Sequence, residues 1–313
     1  MVELSTVLHV AYLIYLILPT ICQLLLLYFV VFHSTKSIQL FRFLLVYTAI
    51  SQLLNVFGNC FCQITSVSME TSFELRSYGL CRQLKVSTCL VIFLLCQIST
   101  LCATISILIT FDFKYLSVSR LFIPKSSLVQ RLVIFHVPVL SFVALQYWTY
   151  LEIYEFPHDI SHFESQKNKN SDYSLIAEFS KQSLPVLLAA GVAFFIAIFP
   201  VPFCWYRRRC IVKELEKARR RFSAVKQADH KQFVMGLLFQ AMIPTFTIPL
   251  SPVIYYFLKA YNSDPRIQML NSITIGFLPS FLDPLITLYA VAPFRNKFKK
   301  IVKVSVTEVH SNF

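Results

Sequence analysis

The sequence predicts an all-α membrane protein built as a single bundle of seven transmembrane helices. Seven stretches contain no Asp, Glu, Lys or Arg, apart from one Asp in the last, and each can cross about 30 Å of hydrocarbon. The composition, 56% hydrophobic and 14% charged, is typical of a chain surrounded mainly by lipid. The stretches are Leu4–Thr35, Phe43–Met69, Val86–Phe111, Leu132–Leu151, Gln182–Tyr206, Gln232–Leu258 and Ile267–Phe294.

Helices are favoured over barrel strands, because the apolar runs lack the alternation of barrel strands and a helix pairs its backbone amides within one segment. No repeat or low-complexity linker divides the chain, so residues 1–313 form one predicted domain. We place the spans at about residues 7–32, 43–66, 86–111, 132–151, 182–206, 232–258 and 268–292, with a short eighth helix at about 294–303.

The distribution of basic residues predicts the orientation of the bundle. With the N-terminus outside, the inner segments hold most of the 29 Lys and Arg residues, including ten from Arg207 to Lys231. Cytoplasmic loops are enriched in basic residues, so the N-terminus is predicted outside and the C-terminus in the cytoplasm. The net charge of +13 is therefore explained by topology and by attraction to the anionic inner leaflet, and it implies no nucleic-acid partner.

The outer loops offer two weaker signals. The longest, Glu152–Lys181, contains His158, Asp159, His162 and Glu164, which are metal-ligating residue types without ligand spacing, so we predict a solvated loop and no metal. Cys81 lies in the first outer loop, and Cys60 or Cys62 at the outer end of span two could pair with it. The connectivity stays open at this stage.

Asp283 is the one Asp, Glu, Lys or Arg residue within the predicted spans. A carboxyl group in hydrocarbon costs about 3 kcal/mol on insertion scales unless it is paired or protonated, so we expect a partner such as Gln52 or Asn55 on span two. Asp283 is interpreted as part of a conformational switch, with a structural polar contact as the alternative. Transporters usually carry several buried charges, so a single one argues against transport. The sequence shows no set of residues typical of an enzyme active site, so neither catalysis nor a cofactor is predicted.

Proline placement favours a bundle that changes shape. Pro244, Pro249 and Pro252 lie close together in span six, and each removes a backbone donor and tends to kink a helix. Pro244 and Pro249 are therefore the candidate hinge residues of span six. Static packing is the alternative, because prolines are common in transmembrane helices.

The segment after the last span predicts an amphipathic helix at the membrane surface. Phe294, Phe298, Ile301 and Val302 fall on one face, the opposite side is basic, and Pro293 suits a first turn.

Several motifs together resemble one family, the nematode serpentine chemoreceptors of the Str superfamily, and within it serpentine receptor class d. The resemblance covers nearly the whole chain, and its most specific part is the end of the last span. The motifs are Ser34-Thr35-Lys36-Ser37, Gly79-Leu80-Cys81-Arg82, Gln240-Ala241-Met242-Ile243-Pro244, Leu282-Asp283-Pro284-Leu285-Ile286-Thr287-Leu288-Tyr289 and Pro293-Phe294-Arg295.

This resemblance implies a G-protein-coupled chemoreceptor in the plasma membrane of a sensory cell, including its cilia. It implies a small odorant or pheromone bound among spans three, five, six and seven, and a heterotrimeric G protein at the inner face. It further implies that Lys114 and Tyr115 line the inner cleft, that Arg295 lies at its rim and that Asp283 belongs to the switch.

The sequence departs from the family pattern in span three. Where the family usually has Tyr-Arg-Tyr, this chain has Phe113-Lys114-Tyr115, and lysine lacks the planar fork of donors that arginine provides. A receptor-like partner that does not signal is therefore one alternative. A ligand-gated channel or transporter is the other, although the predicted outside N-terminus and the lack of an internal repeat argue against it.

Overall fold

The computed structural model describes residues 4–34, 39–68, 72–119, 125–154, 173–180, 182–217, 223–260 and 265–298. These residues are almost entirely helical. The helices are α1 Leu4–Phe32, α2 Gln39–Cys62, α3 Val86–Ser119, α4 Lys125–Tyr154, α5 Leu184–Ile198, α6 Pro200–Lys217, α7 Ala224–Ala260, α8 Pro265–Ala290 and α9 Ala292–Phe298.

The helices coincide with the seven predicted apolar stretches. Within the described residues, five segments are long and apolar enough to cross a membrane, and the bent pair of α8 and α9 makes a sixth if it is counted as one span. The five are His9–Phe32, Phe41–Cys62, Val86–Ser119, Val129–Tyr150 and Leu184–Lys217. The predicted sixth span falls within α7, a helix of 37 residues.

The helices form a closed ring around α3. Helix α1 packs against α2 and α8, α2 packs against α3, and α7 joins α8 to α6. Helix α3 contacts α2, α4, α6 and α7, and the side chains of Leu108, Ile109 and Phe111 near its middle are almost fully buried. A helix that is apolar on all sides belongs in the centre of a bundle. The C-terminal half of α3 therefore lies where the other helices meet. Inner denotes the end of the bundle that the charge distribution predicts to be cytoplasmic, where α3 ends, and outer denotes the opposite end.

The fifth predicted span consists of two helices in direct succession. Helix α5 ends at Ile198 and α6 begins at Pro200, which has no backbone N–H and is well tolerated only at the start of a helix. The amide of Phe199 still donates to the carbonyl of Phe195 at 2.9 Å, so the chain direction is kept. Helix α6 then continues to Lys217, beyond the predicted end of span five at about residue 206.

A small antiparallel sheet covers the outer end of the bundle, and the sequence analysis did not predict it. Its strands are β1 Ile64–Ser68, β2 Ser72–Ser77 and β3 Ser174–Ser180, in the order β1-β2-β3. Helix α2 ends at Cys62, before the predicted end of span two, and Gln63 adopts a φ of 45°. That left-handed residue redirects the chain from the helix into β1.

The disulfide joins Cys81 to Cys89, so neither of the pairings left open for Cys81, with Cys60 or with Cys62, is formed. A short 3-10 turn at Leu80–Gln83 folds back onto the first turn of α3 and brings the two Cα atoms to 5.5 Å. This separation is ordinary for a disulfide. Cys62 stays a buried free thiol beside the bond, and the three sulfur atoms lie within 4.8 Å of one another.

The predicted helix after the last span is present as α9, which turns 92° away from α8. Phe294 is fully buried, and its ring centre lies 6.1 Å from that of Phe29 on α1. Phe298 lies 6.4 Å from the same ring. Ile301 and Val302, which the sequence analysis put on the same face, lie outside the described residues.

Candidate functional site

A cavity of about 330 Å³ lies in the outer half of the bundle, beneath the sheet. Its volume is at the lower end of the range for small-molecule sites, about 300 to 1,000 Å³. Helices α3, α5, α7 and α8, which contain spans three, five, six and seven, line it together with α2 and β1. The lining residues are Gln52, Asn55, Asn59, Ile64, Phe93, Cys96, Gln97, Thr100, Leu101, Ala103, Thr104, Ile107, Ala193, Pro244, Thr247, Gly276, Pro279 and Asp283.

Two helices supply most of the polar lining. Helix α2 contributes Gln52, Asn55 and Asn59, and α3 contributes Gln97, Thr100 and Thr104. Both sets follow the spacing i, i+3 and i+7, which places side chains on one face of a helix. This spacing can be read from the sequence, but only the packing of α2 on α3 reveals that the two polar faces border one cavity.

The floor of the cavity is a buried hydrogen-bonded group around Asp283. The carboxylate accepts a hydrogen bond from Nε2 of Gln52, one of the two partners considered from the sequence. Gln23 on α1 donates to Oε1 of Gln52, and also to the carbonyl of Ser280 at 2.8 Å. All four residues are at most 3% exposed. Paired polar groups satisfy one another inside an apolar bundle, so this group joins α1, α2 and α8.

Gln240 extends the same group to α7. Its Nε2 donates to the carbonyl of Asp283 at 2.9 Å and to Oγ1 of Thr287 at 2.8 Å. Gln240 belongs to the Gln-Ala-x-Ile-Pro motif of span six, and Asp283 and Thr287 to the motif of span seven. The two motifs thus form one hydrogen-bonded contact between α7 and α8.

Below the floor lies a second cavity of about 20 Å³, large enough for one water molecule. Oδ1 of Asp283 has no hydrogen-bond partner among the described residues. Both cavities share Gln52 and Asp283 as lining residues. The lining of the small cavity is Leu26, Leu45, Thr48, Gln52, Ile107, Thr110, Leu237, Gln240, Asp283 and Thr287.

Lys114, predicted to line an inner cleft, is buried between two aromatic rings. Its Nζ lies 4.9 Å from the ring centre of Phe233 on α7 and 5.4 Å from that of Phe41 on α2, and the residue is 7% exposed. The two rings also meet edge to face, with their centres 5.8 Å apart. A cation over an aromatic face is attracted by about 0.5 to 2 kcal/mol. Lys114 therefore holds α2, α3 and α7 together in this structure.

Asp112, which the sequence analysis did not single out, is the centre of an ion-pair cluster. Asp112 is fully buried and pairs with Arg131 on α4. Its Oδ1 atom lies 2.6 Å from Nη2 of Arg207 on α6. The guanidinium of Arg207 also lies 4.8 Å from the ring centre of Tyr115. Tyr115 is thus half-buried under an arginine rather than freely exposed. The cluster fixes α4 and α6 to the inner end of α3.

The remaining predicted site residues are separate from these groups. Arg295 on α9 lies 3.1 Å from Oδ1 of Asp229 on α7, so it does reach the inner ends of the helices. Pro244 lines the outer cavity, and α7 continues as a helix through it and through Pro249. The side chain of Pro249 lies outside the described residues, as do His158, Asp159, His162 and Glu164 of the long outer loop.

Comparison with known proteins places these features in a family. Residues 8–300 match the model of the serpentine type 7TM GPCR chemoreceptor family Srd. Serpentine receptor class delta-40 of Caenorhabditis elegans is 28% identical over 94% of this chain and 92% of its own length. Class delta-47 is 26% identical over 94% and 92%, and class delta-45 is 28% identical over 95% and 93%, both from the same organism.

Proposed function

This chain belongs to the serpentine type 7TM GPCR chemoreceptor family Srd, and from that premise we propose that it binds a small odorant or pheromone-like molecule and activates a heterotrimeric G protein. It is a multi-pass membrane protein, and its relatives are named as receptors, which are not enzymes. The charge distribution supports an outside N-terminus and a cytoplasmic C-terminus. We assign it to the plasma membrane of a sensory cell, including its cilia.

The observation that carries the proposal is the position of Asp283 between the cavity and α7. Asp283 lines the outer cavity, and its backbone carbonyl accepts a hydrogen bond from Gln240 on α7. A ligand in the cavity touches the same hydrogen-bonded group that joins α7 to α8. Binding that favours a different arrangement of this group shifts the population of bundle conformations.

The contacts at the inner face support the interpretation that this structure is the closed, inactive form of the receptor. Lys114 is covered by Phe41 and Phe233, and Arg295 is paired with Asp229 on α7. Docking of a G protein on Lys114 and Tyr115 therefore requires the inner end of α7 to move away from α3. Rigid-body shifts of packed helices are a common form of such transitions. Pro244, with Pro249 beyond it, is the proposed hinge for that movement.

The test is G-protein activation in cells expressing the chain, screened with volatile and pheromone-like compounds. The Lys114→Glu variant reverses the charge at the proposed docking position, and we expect it to abolish the ligand-dependent signal at equal surface expression. Lys85→Glu is the matched control, because Lys85 is exposed at the opposite, outer end of α3 and is expected to keep the signal. A response that survives Lys114→Glu would contradict this docking position.

The same cells, with membrane current recorded as well, distinguish the receptor from the two alternatives, a ligand-gated channel and a receptor-like partner that does not signal. A ligand-dependent membrane current without G-protein activation would indicate a channel. A receptor-like partner that does not signal should stay inactive even as Lys114→Arg, which restores the family's usual residue. Activation of the unmodified chain would exclude that alternative, and the lysine would then serve the role that arginine has in relatives.

A further inference from the structure

The outer cavity is lined by both polar and apolar side chains, and this combination limits the chemistry of its ligand. The polar groups come mainly from α2 and α3, with four carboxamides at Gln52, Asn55, Asn59 and Gln97 and two hydroxyls at Thr100 and Thr104. The lining from α5, α7 and α8 is small and mainly apolar, with Ala193, Pro244, Gly276 and Pro279. The cavity thus matches a molecule with one polar end or edge.

The two polar faces meet because α2 and α3 pack very closely. A Cβ atom added to Gly58 would lie 2.0 Å from Sγ of Cys96. Gly58 is next to Asn59, and Cys96 is next to Gln97. The absence of a side chain at Gly58 therefore allows the carboxamides of the two helices to border the same part of the cavity.

Some of these polar groups are already used and others are not. Nδ2 of Asn59 donates to Oδ1 of Asn55 at 2.5 Å, and the hydroxyls of Thr100 and Thr104 donate to carbonyls of their own helix at 3.0 Å and 3.1 Å. Within the described part of the chain, Nδ2 of Asn55 and the carboxamide of Gln97 make no hydrogen bond to protein, and the Gln97 side chain is exposed in the cavity. The groups available to a ligand are therefore the amide N–H donors of Asn55 and Gln97 and the amide oxygen of Gln97.

The charge of the lining excludes one class of ligand. No Lys or Arg is among the described residues that line the cavity, and its single ionisable carboxyl group belongs to Asp283 on the floor. A carboxylate ligand would find no cation to pair with, and burying an unpaired charge is costly. Oδ2 of Asp283 accepts a hydrogen bond from Gln52, and Oδ1 is buried, so the recognition groups accessible in the cavity are the carboxamides.

We propose that the cavity recognises a neutral oxygenated molecule, such as an alcohol, ketone, ester or lactone with a short apolar chain. Its oxygen accepts a hydrogen bond from Asn55 or Gln97, and its chain lies against Ala193, Pro244 and Gly276. A ligand hydroxyl can also donate to the carboxamide oxygen of Gln97. This inference rests on the proposed function, which makes the outer cavity the ligand site, and names the chemical class that the site takes.

The experiment measures binding without any G protein, using the full chain in lipid nanodiscs and the shift of its thermal unfolding midpoint. The probes are octanol, octanone, octanoate, octylamine and octane, which share a chain length and differ in the polar group. The partitioning of each probe into the lipid of empty nanodiscs is measured separately, and the probe concentration is corrected for this uptake. We expect octanol and octanone to bind at least about tenfold more tightly than octane, because an amide donor left unpaired opposes binding.

Substitution of the carboxamides tests the assignment. We expect Gln97→Leu to weaken octanol binding about tenfold while octane binding is unchanged or improved. Gln83→Leu is the matched control, because Gln83 is exposed in the outer 3-10 turn and does not line the cavity. Asn55→Leu is the second variant, and the unfolding midpoint without ligand reports whether either protein is folded.

Several outcomes would overturn the inference. These are equal binding of octane and octanol, tighter binding of octanoate or octylamine, no binding of octanol or octanone by the folded protein, or octanol binding that survives both carboxamide substitutions. Preference for octylamine would point to a cationic ligand directed at Asp283. Binding of octanol without activation of any G protein would contradict the proposed signalling function and leave the ligand class supported.

Discussion

The Nζ atom of Lys114 on α3 lies 4.9 Å from the centre of the Phe233 ring on α7. This contact joins the proposed docking residue to the helix that we expect to move. We predict that Phe233→Leu raises G-protein activity in the absence of ligand, about fivefold for a lost cation–π attraction of about 1 kcal/mol. The measurement is basal signalling at matched surface expression.

Phe239→Leu is the control for this substitution. Phe239 lies on the same helix but is 49% exposed at the surface of the bundle, so its replacement removes similar apolar volume without touching Lys114. We expect its basal signalling to stay at the level of the unmodified chain. Unchanged basal activity in Phe233→Leu, with an intact ligand response, would show that the aromatic contact does not stabilise the closed form.

The ion-pair cluster at Asp112 gives a prediction about stability. Asp112→Asn removes the charge that Arg131 and Arg207 share, and breaking a buried pair costs about 3 kcal/mol or more because the partners lose their compensating charge. We expect a clear fall in the thermal unfolding midpoint in detergent. Glu214→Gln is the control, because its pair with Lys217 at 2.9 Å is exposed and such pairs contribute about 0 to 1 kcal/mol. Similar losses in both variants would contradict the structural role of Asp112.

Asp112 also illustrates what the sequence could and could not predict. The seven-transmembrane fold class is confirmed by the family match, because long runs without charge leave a helix across lipid as the physical solution. Asp112 lies immediately after the uncharged run that ends at Phe111, where a solvated charge is ordinary. Asp112 is buried because α3 continues to Ser119 and because Arg131 and Arg207 pair with it. These arginines are 19 and 95 positions away in the sequence, and such distant pairs produce no local sequence pattern.

The cavity shows the same limit. The spacing of Gln52, Asn55 and Asn59 marks a polar face on α2, yet a polar face in a membrane helix can meet another helix, water or a ligand. Only the packing at Gly58 and Cys96 turns two such faces toward one space. The partner of Asp283 was predicted as one of two residues and the structure selects Gln52, because the facing of two helices depends on tertiary packing.

Gly236 gives a prediction about the contact between α7 and α8. A Cβ atom added to Gly236 would lie 2.4 Å from Cβ of Ala290, so even alanine must push the inner ends of the two helices apart. We expect Gly236→Ala to lower stability by about 1 to 3 kcal/mol, as overpacking does, and to change basal signalling. Gly191→Ala is the control, because nothing lies within 4 Å of its added Cβ. Helix propensity should make that variant neutral or up to about 1 kcal/mol more stable, and a loss equal to that of Gly236→Ala would refute the steric explanation.

His230, on the inner part of α7 just before the predicted sixth span, gives a prediction about pH. Burial lowers the pKa of His230 from its usual 6.5 to about 4, with Lys114 and Lys226 acting in the same direction and Asp229 opposing them. The folded protein therefore keeps this histidine neutral at a pH where the unfolded chain binds a proton. Stability due to this residue is fully present above pH 6.5 and is lost as the pH falls toward 4.

The measurement is the thermal unfolding midpoint between about pH 7 and about pH 5. Carboxyl groups also titrate near the lower limit, so the comparison is with His230→Gln, which should show a smaller fall than the unmodified chain. His9→Gln replaces an exposed histidine at the other end of the bundle and should behave like the unmodified chain. An identical pH profile for His230→Gln would mean that His230 does not contribute.

The three sulfur atoms at the outer end of the bundle give the last prediction. Cys62, Cys81 and Cys89 have their Sγ atoms within 4.8 Å of one another, and the disulfide uses Cys81 and Cys89. When Cys89→Ser removes one member, the thiol of Cys62 is close enough to bond with Cys81 after a small movement. We expect peptide mapping of protein from an oxidising compartment to find Cys62 joined to Cys81. The Cys62→Ser, Cys89→Ser double variant should leave Cys81 reduced, and a free Cys81 in the single variant would show that the short turn before α3 cannot reach α2.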